Sequence, residues 1–252
     1  MAEESQRQHR LHVAMFPWLA FGHFIPYLEL AALIARKGHR VSFISTPTNI
    51  QRLLPNTLSS LLDFVSFPLD HENLPETVES TMDCPPGKFP FLMLAYDALK
   101  PHLSGFLHTA NPDWIIYDVS GHWIPDIAAK YGVPHAFFFV CPFSTLGFMG
   151  SCTTLMEALD PRAGSPEKLT VAPEWVPFPS TVAYRLHEAR QIVGLFDKGG
   201  LGNGLGAVVH GCDVCLSRGT YEVDGHWIDL CRGDPPASDA SPRPHARTGA
   251  GM

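Results

Sequence analysis

Apolar and polar positions fall into two kinds of block along this chain. Short runs rich in β-branched and aromatic residues predict strands at 13–16, 39–45, 62–69, 113–119, 134–140 and 212–217. Between them, apolar residues at helical spacing predict helices at 24–37, 49–54, 89–108, 123–130, 143–158 and 183–196, with an acidic helical turn after the last strand. In the first helix Ile25, Leu28, Ala32 and Ala35 carry the spacing, and Gly38 supplies the stop. Residues 70–88 lack periodicity and read as a polar loop. Pro161, Pro166, Pro173, Pro177 and Pro179 make 160–181 irregular. Nearly continuous apolar strands alternating with helices predict an α/β fold: a Rossmann-like parallel sheet with helices on both faces.

Composition sets the limits of that domain. The chain has 252 residues, 45% of them hydrophobic, enough for one sizeable core over residues 11–230. The polar start, 1–10, is expected to be disordered. After Leu230 the sequence CRGDPPASDASPRPHARTGAGM offers no aliphatic residue larger than alanine except Met252, so 231–252 is expected to be a disordered tail. A net charge of −7 gives no footprint for nucleic acid or an anionic membrane, and no apolar run is long enough to span a bilayer. The first residues carry two glutamates and the apolar run after them is broken by Pro17 and Gly22, which argues against a signal peptide. Six scattered cysteines are expected to be reduced thiols in a cytoplasmic protein.

Candidate chemistry gathers where the first strand turns into the first helix. Open α/β sheets bind ligands beyond the carboxyl ends of their strands, and His23 lies there. An imidazole so placed suits general-base work, although a helix-capping histidine is the plainer reading. Other motifs lack their context. The run 202–207, GNGLGA, fits a dinucleotide fingerprint but does not follow the first strand. The pair Cys212 and Cys215 has no second pair at zinc spacing, so no metal site is expected.

Three segments resemble one family: FPWLAFGHFIPYLELAALIARKGHRVSFISTPTNIQRL, DWIIYDVSGHWIPDIAAKYGVPHAFFFV and GCDVCLSRGTYEVDGHWIDL. Together they look like the N-terminal half of plant UDP-dependent glycosyltransferases, in particular the branch that extends existing glycosides, such as saponin rhamnosyltransferases. The resemblance covers roughly residues 10–230. It implies the acceptor-binding half of a two-domain GT-B fold and an inverting transfer from a UDP-sugar to an acceptor hydroxyl. His23 matches the family's base. Asp118 lies in the segment that holds the partner aspartate, the alternative being a cap for the following helix. The loops after the first, fourth and fifth strands offer Trp18, Phe21, Phe24, His122, Trp123, Phe143 and Phe148 to an aromatic or terpenoid acceptor, the alternative being ordinary core packing.

The family's tryptophan-led donor box is absent, and the resemblance lapses at Cys231. The expectation is therefore a truncated homologue without its donor domain. It needs no cofactor, since UDP-sugar is the donor substrate of complete relatives. It would bind a small-molecule acceptor, hold UDP-sugar weakly if at all, and be inactive alone. A noncatalytic metabolite-binding half and a nonfunctional truncated product are the alternatives. A nicotinamide-dependent enzyme fails on the missing glycine fingerprint in the first turn.

Overall fold

A computed structural model of the chain describes residues 10–53, 60–70, 72–150, 162, 164–193 and 201–233. The expected disorder before residue 10 and after residue 233 lies outside the described residues. Six strands, β1 (His12–Phe16), β2 (Arg40–Ser45), β3 (Leu62–Ser66), β4 (Trp114–Tyr117), β5 (His135–Phe139) and β6 (Val214–Ser217), form one parallel sheet in the order β3-β2-β1-β4-β5-β6. The helices are α1 (Phe21–Arg36), α2 (Pro47–Leu53), α3 (Phe89–Asp97), α4 (Lys100–Ala110), α5 (Ile124–Lys130), α6 (Phe143–Met149), α7 (Leu186–Ile192), α8 (Leu201–Gly211) and α9 (Tyr221–Arg232).

The strand order explains the apolar runs. From β1 the chain steps outward to β2 and β3, then returns to the other side of β1 with β4 and steps outward again. Right-handed crossovers in opposite lateral directions place α1 and α5 on opposite faces of the sheet. The inner strands are therefore covered on both sides. Every residue of β5 is buried, whereas β3 and β6, at the sheet margins, are half-exposed.

Several elements differ from the sequence pattern. Helix α1 starts at Phe21, so His23 belongs to its first turn and not to the preceding loop. Its buried stripe is Phe24, Tyr27, Ala31 and Ala35, while Ile25 stands 54% exposed. The two aromatics win the inward face, and the Tyr27 hydroxyl is satisfied there by donating to the Phe138 carbonyl at 3.2 Å. The single helix expected over 89–108 is two, α3 and α4. Pro101 sits in the first turn of α4, where its missing N–H costs nothing, but it could not continue α3. Helix α9 runs two residues past Leu230 and ends on Gly233 in the left-handed region.

The polar loop at 70–88 is tied down by side chains. Glu79 accepts from the Thr48 amide at 2.7 Å and hydroxyl at 2.8 Å, satisfying an orphan donor at the start of α2. Asn49 Nδ2 donates to the Glu79 carbonyl at 2.7 Å, and Arg52 grips Asp83 through two bonds of 2.8 and 2.9 Å. The Thr81 amide then donates to the Leu19 carbonyl at 2.9 Å, which joins this loop to the one after β1.

Helices α6 and α9 pack so closely that a Cβ on Gly147 would lie 2.7 Å from the Trp227 ring. Gly147→Ala is expected to destabilise the chain by about 1–3 kcal/mol, as overpacking does, read as a lower urea midpoint at unchanged slope. A second outcome concerns acid. The Arg52 guanidinium holds the Asp83 carboxyl below its ordinary range. That stabilisation is complete above the unfolded carboxylate value of about 3.9 and is lost as pH falls through the lower folded value. Melting temperatures of wild type and Arg52→Ala should differ near neutrality and converge in acid.

Candidate active site

The strand order reverses between β1 and β4, and their carboxyl ends open the crevice where such sheets hold ligands. The register sets Phe16 opposite Tyr117, so the residues that follow each strand start side by side. From β1 the chain passes through Pro17–Ala20 into α1. From β4 it turns through Asp118 and Gly121, with the Gly121 amide donating to the Asp118 carbonyl at 2.9 Å. A Cβ on Gly121 would lie 2.5 Å from Ile124 Cδ1 and 3.1 Å from the Asp118 carbonyl oxygen, so a side chain there would have to displace Ile124.

This geometry brings His23 and Asp118 together. His23 Nδ1 lies 2.7 Å from Asp118 Oδ2. The same oxygen accepts the Trp18 amide at 3.0 Å, and Oδ1 accepts the Val119 amide at 2.7 Å. Asp118 is fully buried, and His23 is 23% exposed. Both carboxylate oxygens already accept backbone N–H groups, so the carboxylate acts as acceptor and Nδ1 carries the hydrogen. That tautomer leaves Nε2 with a lone pair on the more exposed side of the pair. Asp118 is not a helix cap, since α5 begins only at Ile124 with Trp123 as its N-cap.

Two phenols and a thiol lie within the field of Asp118. Burial pushes the Tyr27 and Tyr96 phenols well above the ordinary range, and the charge of Asp118 adds to the effect. Burial likewise raises the Cys141 thiol, again with Asp118 contributing. These groups stay neutral beside the carboxylate. Tyr96 stacks on Phe16 at 4.9 Å and meets Trp18 edge-on at 5.2 Å. Its neighbour Asp97 accepts the Trp123 indole N–H at 2.7 Å. Neither Tyr96 nor Asp97 was singled out by the sequence. The available signal was one acid closing the otherwise apolar run FPFLMLAY.

The seven aromatic and imidazole candidates divide. Trp18, Phe24, Trp123 and Phe148 are buried and pack against other side chains of the domain. Trp18 and Trp123 close around Tyr96, Phe24 lies in the main core, and Phe148 belongs to a satellite cluster with Leu169, Ala189 and Trp227. Phe21 and Phe143 remain half-buried, and His122 is exposed. Phe143 lines a cavity of about 860 Å³ beside β6, together with Leu146, Trp175, Leu216, Ile228 and Leu230. The GNGLGA run is part of α8, and among the described residues the element before it is helix α7, not the strand a nucleotide turn needs. Among the described residues no group of three or more His, Cys, Asp or Glu could hold a metal, and no helix is long and apolar enough to cross a membrane.

No family model matches the chain. Individual proteins do. UDP-glycosyltransferase 91C1 of Arabidopsis thaliana is 43% identical over 234 residues, covering 90% of this chain and 50% of that protein. Soyasaponin III rhamnosyltransferase of Glycine max is 37% identical over 236 residues, covering 89% and 48%. The chain is homologous to plant UDP-glycosyltransferases. It spans about half the length of the curated relatives it matches. Among solved structures, Arabidopsis thaliana UGT89C1 complexed with UDP-L-rhamnose superposes with a TM-score of 0.61 at 17% identity, over 87% of this chain and 45% of that one. The same protein has been solved with quercetin. The six-stranded sheet of this UDP-glycosyltransferase homologue thus corresponds to one half of the GT-B fold.

Asp118 serves three donors at once in a dry setting. Asp118→Ala leaves the Trp18 and Val119 amides without their acceptor. A loss of about 1–3 kcal/mol for each buried donor left unpaired is the expected outcome in urea titrations, unless water enters the gap. A loss below about 0.5 kcal/mol would mean the carboxylate is dispensable to the fold.

Proposed function

We propose that this chain is the acceptor-binding half of a UDP-sugar-dependent glycosyltransferase, with His23 as base and Asp118 as its orienting partner. One observation carries the reading. At the switch point of the sheet, His23 Nδ1 is engaged at 2.7 Å by a buried carboxylate, which leaves Nε2 to accept a proton. In the reaction Nε2 takes the proton of an acceptor hydroxyl as its oxygen attacks the anomeric carbon of the sugar. Nucleoside diphosphate leaves from the opposite face, so the anomeric configuration inverts. Asp118 holds the ring and stabilises the imidazolium that forms, as the carboxylate of a hydrolase triad does. Phe21, His122 and Phe143 keep exposed surface near these loops and are the residues best placed to contact an acceptor.

The nucleotide and its diphosphate would be held by the second half of the complete fold. Remote binding energy of that kind positions the sugar for attack. Alone, this half should bind an apolar glycoside acceptor and bind UDP-sugar weakly, with negligible transfer. Titration calorimetry with UDP-sugar and with a triterpenoid or flavonoid glycoside tests the division, and micromolar donor binding would contradict it. In a chimera completed by the C-terminal half of a relative, His23→Ala should lose at least about 100-fold in kcat, within the usual contribution of a general base, while KM for the acceptor changes little. An unchanged kcat would remove His23 from the mechanism.

A second reading, a noncatalytic half that stores or senses an apolar metabolite, draws support from the 860 Å³ cavity beside β6, whose lining includes neither His23 nor Asp118. Acceptor binding abolished by blocking that cavity and indifferent to His23 would favour it.

A further inference from the structure

The loop that leads from β1 into the helix of the proposed base and the turn that carries its partner both touch one corner of the fold, the carboxyl end of α3. Tyr96 is fully buried there. It stacks on Phe16 at the end of β1 and meets the rings of Trp18, after β1, and Trp123, after β4, at 5.2 and 5.9 Å. Asp97 accepts the Trp123 indole N–H through Oδ1 at 2.7 Å, and Lys100 Nζ sits 5.6 Å from the centre of an indole ring of the same residue. Tyr96 and Trp18 share only an edge-on ring contact, whereas the hydrogen bond from the Trp123 indole to Asp97 fixes Trp123 in one orientation. Trp123 closes the turn that begins at Asp118, where the Ile124 amide donates to the Gly121 carbonyl at 2.8 Å and the Gly121 amide to the Asp118 carbonyl at 2.9 Å.

We infer that Asp97 is a positioning residue: by holding the Trp123 indole it sets the turn that presents Asp118 to His23. The inference rests on the reading of His23 and Asp118 as base and partner, but its geometry does not. Asp97 touches neither side chain of the pair. It acts through Trp123 and the five-residue turn behind it, while Tyr96 holds the other loop through Trp18, whose amide reaches Asp118 Oδ2 at 3.0 Å. The corner of α3 therefore acts on both sides of the carboxylate. A role confined to stability would lower the melting point and leave the His23–Asp118 bond in the folded molecules as it was.

The test reads that bond directly, on the full chain labelled with 15N-histidine. The Nδ1-bound proton of His23 is assigned by its disappearance in His23→Gln. In folded Asp97→Ala its exchange with solvent should quicken by about tenfold, the factor expected for one lost hydrogen bond. Asp97→Asn keeps an acceptor oxygen for the indole and should restore the slow exchange. Trp123→Phe should match Asp97→Ala, and the double variant should be no faster than either single one. Should Asp97→Ala fail to fold, Trp123→Phe against Asp97→Asn gives the same comparison. Unchanged exchange in the folded variants, or an Asn variant as fast as the Ala variant, overturns the inference. No transfer reaction is needed for this readout. A full-rate His23→Ala chimera would discard the functional reading while leaving the clamp standing, and slow exchange in Asp97→Ala would do the reverse.

Discussion

The parallel pairing of β1 with β4 runs in a register that sets Val13 opposite Trp114 and Phe16 opposite Tyr117. One step further along each strand, the pairing ends and the two chains part, one towards α1 and the other into a tight turn. The gap between them is where Trp18 can offer its amide to Asp118 and where the first turn of α1 can lower His23 onto the same carboxylate. Shifting the register by one residue would turn every side chain of β4 to the other face of the sheet. It would carry Asp118 away from both donors. The site is thus a by-product of a backbone pairing fixed by burial, since all of β1 except His12 and all of β4 except Trp114 are buried.

A buried carboxylate is costly unless its lone pairs are used. Asp118 meets that condition with two backbone amides and one imidazole, and the hydroxyls and thiol around it are kept neutral by the same burial. The surrounding aromatic residues then have a double task. They exclude water from the carboxylate and brace the two loops against α3. This is why Trp18 and Trp123, which look like ligand-facing residues in a loop, are consumed by packing.

Much of this was legible in the chain. Strand-loop-helix patterning placed His23 at the carboxyl edge of the sheet, and the apolar strands announced a sheet covered on both faces. The resemblance to the glycosyltransferases pointed to Asp118. Periodicity failed where other physics intervened. Helix α8 contains Gly202, Gly204, Gly206 and Gly211, which depress helical propensity. Yet a Cβ on Gly211 would come within 3.0 Å of Pro125, so the close approach to α5 favours the small residue. The inward face of α1 includes Ala35 as expected but otherwise runs through Phe24, Tyr27 and Ala31 in place of Ile25, Leu28 and Ala32, because the two aromatic rings offer more area to bury. Pattern alone could not tell an aromatic wall from an aromatic core, and it could not see Asp97, whose part depends on a partner 26 residues away.

The bond between His23 and Asp118 spans 95 positions of the chain. Its contacts are non-local, so ordering entropy must be offset by β1, β4 and the intervening units before the pair can persist. During synthesis the amino-terminal βα unit, His23 included, leaves the ribosome long before its partner aspartate exists. The imidazole is then an ordinary exposed side chain on an unfinished sheet. It acquires an orientation only once β4 has emerged and docked beside β1, which makes the pair a late marker of a correctly threaded domain.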